Sequence, residues 1–232
     1  MNTRRKFLLN GSIAATALLV AKPFSSMADS FDSLTCSGFN QQSIVLAHTG
    51  NNSSNSQPLS QIKNLKSNYS NLLMLHAATT AGVPDIAYDA TMQTSAANAI
   101  RVSDYRVIYK GKIKTGIILA DNASASFSGL NDLAVYLKEE RACDLVVCLS
   151  QLGFKAGNNS DDLSLAATST HIDIIIGGHA DNFCKLPVIA LNSKKEEVII
   201  NHSAGADLAL HKIEIGYDNR GRKNSVAITK TS

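Results

Sequence analysis

Short apolar runs alternate with amphipathic stretches along most of the chain, and this pattern predicts alternating strands and helices. The apolar runs predict strands at Ser43–Ala47, Leu72–Leu75, Leu145–Leu149 and Ile172–Ile176, and a β-hairpin formed by Tyr105–Tyr109 and Ile113–Leu119. Helices are predicted at the face formed by Leu59, Ile62, Leu65 and Tyr69, at Ala90–Val102, at the face formed by Leu130, Leu133, Ala134 and Leu137, and at Asp162–Ala166.

After Ile176 the pattern changes, and only strands are predicted. They are Pro187–Leu191, Val198–His202, Ala209–Gly216 and Ser225–Thr229. Alternating strands and helices followed by further strands predict an α/β fold, with sheets covered by helices. The length of 232 residues and the hydrophobic content of 44% are enough for one domain with a full core.

The first 28 residues have the features of an export signal. Arg4 and Arg5 stand in a twin-arginine-like segment and precede a moderately apolar run, residues 11–21, that is too short for a stable membrane anchor. Small residues before Asp29 predict cleavage near Ala28. We therefore divide the chain into a signal peptide (1–28), a polar leader (29–41) and one domain (42–232), and we expect export to the periplasm. A Sec signal with incidental paired arginines is the alternative.

The net charge gives no reason to expect a nucleic-acid partner. The formal charge of +3 comes from 22 basic and 19 acidic residues, but residues 1–28 contain four basic residues and no acidic one. Removing them leaves 22 − 4 = 18 basic against 19 acidic residues, a net charge of −1. A nearly neutral domain is not typical of proteins that bind nucleic acids or anionic membranes.

The four cysteines, Cys36, Cys143, Cys148 and Cys184, do not have the spacing of a zinc site. Cys143 and Cys148 lie next to or within an apolar strand, which predicts buried thiols. An exported protein could form a disulfide, but the sequence does not indicate which cysteines would pair.

Two strands that end in polar loops are the most informative part of the sequence. The strand in residues 145–149 runs into Ser-Gln-Leu-Gly, and the strand in residues 172–176 runs into Gly-Gly-His-Ala-Asp. In parallel α/β folds, loops at the carboxyl ends of strands form the functional sites. These loops resemble the last two metal-binding loops of the calcineurin-like metallophosphoesterases, in the 5′-nucleotidase branch. The resemblance implies a sandwich of two packed β-sheets flanked by helices and covers residues 43–221.

The family's chemistry uses two metal ions that activate a water molecule and neutralise phosphate. The resemblance implies that the ligands of its first three loops are replaced in this sequence. Asn51 and Ser53 stand in place of the aspartate and histidine of the first loop, and Thr79 in place of the carboxylate that bridges the two metals. Ser95 and Ala96 stand in place of the amide ligand and the catalytic histidine.

The last two loops keep more of the family's pattern. Gln151 stands in place of a histidine, His179 matches the family, and Asp181 stands in place of a second histidine. These three residues could hold at most one weakly bound divalent cation, or they could form a hydrogen-bonded relic of the old site. His76, at a strand end near this region, fits a capped histidine and a solvated histidine equally well.

The sequence leads to three hypotheses about function. The first is an exported, catalytically inactive relative of the 5′-nucleotidase N-terminal domains that acts as a binding or partner subunit. Its partner would be a separate chain of the nucleotidase C-terminal type, because the family's nucleotide-binding domain is not found after the last core strand. The second is an active metal-dependent phosphoesterase with an altered site. The third is a relic without a partner that binds a polar ligand or only keeps its fold.

Overall fold

The structure is a computed structural model. It describes residues 42–49, 59–77, 88–91, 105–121, 127–155, 160–179, 182–202, 210–218, 220 and 223–231. All of these residues belong to one compact unit, Asn40–Ser232. The predicted signal peptide and leader therefore lie outside the described residues.

The described residues form two β-sheets and three α-helices. The first sheet has the order β11-β10-β1-β2-β3, with β1 (Gln42–Thr49), β2 (Leu72–His76), β3 (Ala90–Thr91), β10 (Leu210–Tyr217) and β11 (Lys223–Thr231). The second has the order β4-β5-β6-β7-β9-β8, with β4 (Arg106–Lys110), β5 (Ile113–Ala120), β6 (Leu145–Ser150), β7 (Ile174–Gly177), β8 (Val188–Leu191) and β9 (Glu197–His202). The helices are α1 (Leu59–Asn68), α2 (Phe127–Val135), which continues into a π-helical turn (Tyr136–Glu140), and α3 (Asp162–Thr168).

Both sheets are mixed, and each contains a run of adjacent parallel strands. Strands β1, β2 and β3 are parallel, and β10 and β11 extend that sheet as antiparallel strands. Strands β5, β6, β7 and β9 are parallel, and β4 and β8 form antiparallel edges. The carboxyl ends of the parallel strands in each sheet therefore lie along one edge of that sheet.

Side chains from both sheets form one buried core between them. Along β1 and β2, alternate residues such as Leu46 and Leu73 join this core, together with Leu149 and Ile176 from the second sheet. The outer face of the second sheet packs against α2 and α3, and the outer face of the first sheet packs against side chains of α1. This alternation is the period-two pattern of strands that are buried on both faces. The structure is thus the predicted α/β sandwich of two packed sheets flanked by helices.

Most of the predicted elements are present, with ends that differ by a few residues. The predicted central-strand residues of β6 and β7 are fully buried: Val146, Val147, Leu149, Ile174, Ile175 and Ile176. The hairpin of β4 and β5 turns at Gly111, whose φ of 60° lies in the left-handed region that glycine adopts without strain. Burial of these apolar runs explains why the sequence pattern identified them.

The helix predicted at Ala90–Val102 begins incorrectly. Ala90 and Thr91 form the short strand β3, in which Ala90 pairs with Leu75 and Thr91 with His76. Pairing with the end of β2 gives the backbone groups of these residues hydrogen-bond partners. A helix that started here would first have to form an isolated turn, which is unfavourable. The rest of the predicted helix, residues 92–102, lies outside the described residues.

The cysteines that the structure describes are thiols. Cys143, Cys148 and Cys184 are free and buried, as predicted for the first two, and Cys36 lies outside the described residues. Burial raises the pKa of Cys184 to about 11 and raises that of Cys148 further, so neither thiol ionises readily.

In the described part of the chain, no helix has the length and apolar character that crossing a bilayer requires.

Candidate functional site

The carboxyl ends of the parallel strands place polar residues side by side. Thr49 pairs with His76 at the ends of β1 and β2. In the second sheet, Gly177 at the end of β7 pairs with Ser150 of β6 on one side and with His202 of β9 on the other. All five residues are buried. The two sheets therefore present a row of enclosed polar groups at the edge where sequence analysis placed the site.

A direct contact closes the space between the two sheets at this edge. The Gln151 side-chain amide donates a hydrogen bond to the backbone carbonyl of Ala77, which follows β2. Gly178 packs against the same carbonyl so closely that a Cβ atom at this position would overlap the oxygen. A glycine is needed here because any side chain would push the sheets apart. The residue that the resemblance aligns with a metal ligand thus bonds to the opposite sheet.

A second contact joins the sheets beside the first. The Asn201 side-chain amide donates to Nε2 of His48 at 2.9 Å, and both side chains are buried. Because Nε2 accepts, His48 is a neutral imidazole that carries its proton on Nδ1. The residues come from β9 and β1, so this bond links the two sheets through neutral groups.

A buried polar cluster lies on the outer face of the second sheet. Ser150 Oγ donates to Asp162 Oδ1, and His202 Nε2 lies 3.0 Å from Asp162 Oδ2, with both partners of that pair fully buried. The His202 ring covers Gly177 so closely that a Cβ atom there would overlap the ring. The ring also meets Phe154 edge-on at a centroid distance of 5.9 Å. The strand ends of β6, β7 and β9, helix α3 and the Phe154 ring therefore surround the cluster.

The order of contacts in this cluster excludes activation of Ser150 as a nucleophile. Its hydroxyl donates to the carboxylate of Asp162 and accepts the backbone N–H of Leu152 at 3.1 Å. In a catalytic triad the histidine stands between the hydroxyl and the carboxylate and removes the hydroxyl proton. Here the carboxylate stands between the hydroxyl and His202. The cluster therefore anchors α3 and the loop after β6 to β9.

His76 is buried in the first sheet, which resolves the alternative that the sequence left open. Its Nδ1 lies 2.8 Å from Thr49 Oγ1, which donates its own proton to the Tyr88 hydroxyl at 3.0 Å. Thr49 therefore accepts from the Nδ1 proton of His76. Burial lowers the pKa of His76 to about 4, so the ring is neutral at neutral pH. Among the described residues, its Nε2 has no hydrogen-bond partner.

The residues predicted to hold a metal are only partly within the described chain. His179 is half-buried, and its Nδ1 accepts the backbone N–H of Asn182 at 3.1 Å. Gln151 contacts Ala77 as described above. The remaining predicted site positions lie outside the described residues: Asp181, Asn51, Ser53, Thr79, Ser95, Ala96, and Arg4 and Arg5 of the signal. A site formed by His179, Asp181 and Gln151 stays a prediction.

The described side chains do not fit a centre with two metal ions. No group of three His, Cys, Asp or Glu side chains in the described ranges has the arrangement that would hold a metal. The buried carboxylate of Asp162 is engaged by Ser150 and His202, and Gln151 presents its N–H donor, not an oxygen, to the seam between the sheets. Two divalent cations about 3.5–4 Å apart require several anionic ligands between them.

Sequence reasoning missed the pairings that hold this edge together. It named His202 only as the last residue of a predicted strand and Asp162 only as the first residue of a predicted helix. The sequence did contain one signal for these pairings. His202 ends a predicted strand, and the ends of neighbouring strands in a parallel sheet lie side by side. The partners of His48 and His202 depended on which strands become neighbours, and β9 lies next to β7 although β8 precedes it in the chain.

Comparison with known proteins identifies the fold. No protein-family model and no curated protein sequence matches the chain. Solved structures do match it: a 5′-nucleotidase precursor from Thermus thermophilus has a TM-score of 0.64 at 14% identity, and the match covers 82% of this chain and 54% of that protein. The NAD nucleotidase of Haemophilus influenzae has a TM-score of 0.60 at 13% identity, with coverage of 82% and 50%.

A third match points the same way. A putative 5′-nucleotidase from Staphylococcus aureus has a TM-score of 0.54 at 10% identity, and the match covers 82% of this chain and 54% of that protein. The chain thus spans about half the length of these proteins. Identities this low establish the architecture and leave the chemistry to the residues of the site. The chain has the fold of the calcineurin-like metallophosphoesterases, in the form found in the 5′-nucleotidases.

Proposed function

We propose that this protein is an exported, catalytically inactive relative of the 5′-nucleotidases that acts as a binding or partner subunit. The observation that carries the proposal is the contact of Gln151 with the Ala77 carbonyl across the two sheets. At this position the resemblance implies a metal-binding histidine. In this protein the side chain donates a hydrogen bond to the opposite sheet, and Gly178 packs against the same carbonyl.

The charge of the aligned positions supports inactivity. Asn51, Ser53 and Thr79 are neutral where the family has an aspartate, a histidine and a bridging carboxylate. Two adjacent divalent cations repel each other, and anionic ligands must offset that repulsion. Among the aligned positions, only Asp181 is a carboxylate. Even the loss of residues that merely support such ligands costs about 10–100-fold in metal affinity or activity.

The catalytic group is replaced as well. Ala96 stands where the family has the histidine that protonates the leaving oxygen. General acid catalysis of this kind contributes about 10²–10⁴-fold to a rate. We propose no cofactor for this protein beyond at most one weakly bound divalent cation at His179, Asp181 and Gln151.

The partner that we propose is a separate chain of the nucleotidase C-terminal type. The supporting observation is the match to about half the length of the solved 5′-nucleotidases, which leaves a second part of those proteins without a counterpart in the matched region.

We further propose that Arg4 and Arg5 direct export by the twin-arginine route. Replacing both with lysine should leave the precursor in the cytoplasm, whereas normal processing in a strain without twin-arginine transport would indicate a Sec signal.

Metal analysis combined with an activity assay tests the proposal of inactivity. The purified mature protein is incubated with Mn²⁺, Zn²⁺ or Fe²⁺, bound metal is measured, and hydrolysis of AMP and bis-p-nitrophenyl phosphate is assayed. We expect no more than one weakly bound ion per chain and no turnover above that of a His179→Ala variant. His171→Ala, at the other end of the second sheet, is the matched control.

Turnover that depends on the site would overturn the proposal. Two tightly bound metals per chain, with hydrolysis lost in His179→Ala and retained in His171→Ala, would establish that the protein is an active phosphoesterase. Hydrolysis that is equal in both variants would not come from a site that uses His179. The position of His171 outside the candidate site makes this distinction possible.

A further inference from the structure

The hairpin at one edge of the second sheet is basic and aromatic. Its residues 105–114 read YRVIYKGKIK, with Arg106, Lys110, Lys112 and Lys114 as basic residues and no acidic residue. The net charge does not reveal this group of basic residues, because it is close to zero once the first 28 residues are removed. The hairpin lies apart from the candidate site, because β4 is an edge strand and the site lies at the ends of the central strands.

Two cation–π contacts lie side by side on the outer face of this hairpin. The Lys114 ammonium is 5.7 Å from the centre of the Tyr109 ring, with which it is paired across the strands. The Arg141 guanidinium is 5.4 Å from the centre of the Tyr105 ring and donates to its hydroxyl at 2.6 Å. With Lys112 in the exposed turn, these residues form what we name the cationic hairpin face.

The positive charges of this face are not neutralised by carboxylates. Lys110 does form an ion pair, with Asp89 at 2.9 Å, and it faces the other side of the hairpin. Among the residues that the structure describes, no carboxylate pairs with Lys112, Lys114 or Arg141. Asp144 accepts from the backbone N–H of Lys114 at 2.8 Å.

A hydrogen bond connects the two central cations of this face through the backbone. The Lys114 ammonium donates to the backbone carbonyl of Arg141. Glu139 and Glu140 lie in the adjacent π-helical turn, but both are exposed and Glu139 lies 3.5 Å from His171. Arg141 donates to Tyr105 and Lys114 to a carbonyl, so a bound anionic group would accept from their remaining N–H groups.

We propose that the cationic hairpin face binds a linear polyanion with phosphate groups along its backbone and no nucleobases. Charge complementarity selects a polyanion, since Lys114 and Arg141 lie on this face, Lys112 lies in the adjoining exposed turn, and none of the three pairs with a carboxylate among the described residues. Nucleobases are disfavoured because the Tyr105 ring packs against Tyr136 at a centroid distance of 5.4 Å and the Lys114 ammonium lies over the Tyr109 ring, so each ring already has a neighbour where a base would stack. A lipid surface is disfavoured because Tyr109 is the only strongly exposed large hydrophobic residue of this hairpin in the described chain.

Binding of inorganic polyphosphate at low and moderate salt tests the proposal. The mature protein, a Lys112→Glu variant and a Lys195→Glu variant are compared. Lys195 is the matched control because it lies in the exposed turn of the β8–β9 hairpin at the opposite edge of the same sheet. Both reversals change the net charge equally, and both residues lie in exposed turns, so the variants should fold alike. A thermal unfolding measurement on each variant verifies this.

We expect polyphosphate to bind the unmodified protein and to dissociate as salt rises from about 50 to 200 mM. Lys112→Glu should weaken binding about tenfold at low salt and lower the salt slope by about one, whereas Lys195→Glu should leave both nearly unchanged. Equal losses in the two variants would overturn the proposal, because net charge alone would then explain binding. Absence of polyphosphate binding would also overturn it.

Two further probes separate the proposal from other partners. A single-stranded oligonucleotide with a similar number of phosphates should bind no more tightly than polyphosphate. Tighter binding of the oligonucleotide, lost in Tyr109→Ala, would show that bases stack on the face and would overturn the proposal. Binding to phosphatidylglycerol vesicles without binding to polyphosphate would identify a membrane surface instead and would overturn it equally.

Discussion

The central strands of the second sheet carry polar clusters at both ends, and the two clusters differ in burial. At the carboxyl ends, Ser150, Asp162 and His202 are fully buried, and Asp162 contacts both of the others. At the amino ends, Asp173 lies 2.8 Å from the Lys138 ammonium and 3.9 Å from that of Lys223, and these side chains are about one-fifth exposed. The amino-end charges border a cavity of about 340 Å³.

This difference shows where polar residues determine stability. A buried charge that loses its partner remains without water, whereas a partly exposed charge is solvated again. The carboxyl-end cluster should therefore contribute much more to folding than the amino-end cluster, although both contain one carboxylate between two other groups. At the edge where the sequence predicted the site, the described polar groups bind each other.

Removing the buried carboxylate should have the largest effect. Asp162→Ala leaves His202 and Ser150 without their shared partner, and we expect the free energy of unfolding to fall by about 3–5 kcal/mol. Urea unfolding followed by circular dichroism measures this. A loss below about 1 kcal/mol would mean that water reaches the cluster, and the contrast between the two ends would disappear.

An apolar truncation between the two clusters gives a reference value. Ile175 is fully buried in β7, and Ile175→Ala should destabilise the protein by about 2–5 kcal/mol through lost burial and a residual cavity. Ile189→Ala is the matched control, because Ile189 is 61% exposed on the edge strand β8 and its truncation should cost less than about 0.5 kcal/mol. Similar losses in the two variants would contradict the strand order.

The neutral state of His76 should make stability depend on pH. Its pKa falls from 6.5 to about 4 on burial, so the unfolded chain binds a proton that the folded chain excludes. This contribution is complete above pH 6.5 and decreases as the pH falls toward 4, by up to about 3 kcal/mol. Unfolding at a series of pH values should show a smaller slope in His76→Gln. An unchanged slope would assign the pH dependence to other groups.

The closed seam between the sheets should resist even a methyl group. Gly178→Ala would place a Cβ atom on top of the Ala77 carbonyl oxygen, so the backbone must move, and we expect a loss of about 1–3 kcal/mol. Gly129→Ala is the control, since no atom lies within 4 Å of its Cβ position in α2, and it should stabilise the protein by about 0.5–1 kcal/mol. Equal stability of the two variants would mean that the seam opens readily.

The smallest effect is expected at the amino ends. Lys223→Met removes an ammonium whose contacts are a 3.3 Å hydrogen bond to the Glu197 carbonyl and the longer approach to Asp173. We expect a change below about 1 kcal/mol, because a partly exposed ion pair is solvated and screened. The same urea titration measures the change. A loss of unfolding free energy as large as that of Asp162→Ala would mean that the two ends of the sheet contribute equally to stability.

The sequence predicted the fold where one chemical pattern repeats along the chain. Apolar runs identified β6 and β7 because both faces of these strands are buried, and the Gly111 turn identified the β4–β5 hairpin. The pattern was wrong at Ala90, where two residues complete a strand instead of starting a helix. Short segments take the structure that a neighbouring strand offers, and local spacing contains no information about that neighbour.

For the candidate site, the sequence determined which chemical groups are present, and the tertiary structure decided what they contact. The neutral side chains of Asn51, Ser53 and Thr79, which the resemblance aligns with metal ligands, are readable without coordinates, because charge belongs to the residue type. The contact of Gln151 with the Ala77 carbonyl joins residues 74 positions apart, and the contact of His48 with Asn201 joins residues 153 positions apart. Such pairs meet only when two sheets pack face to face. Packing also sets the burial that makes His76 neutral.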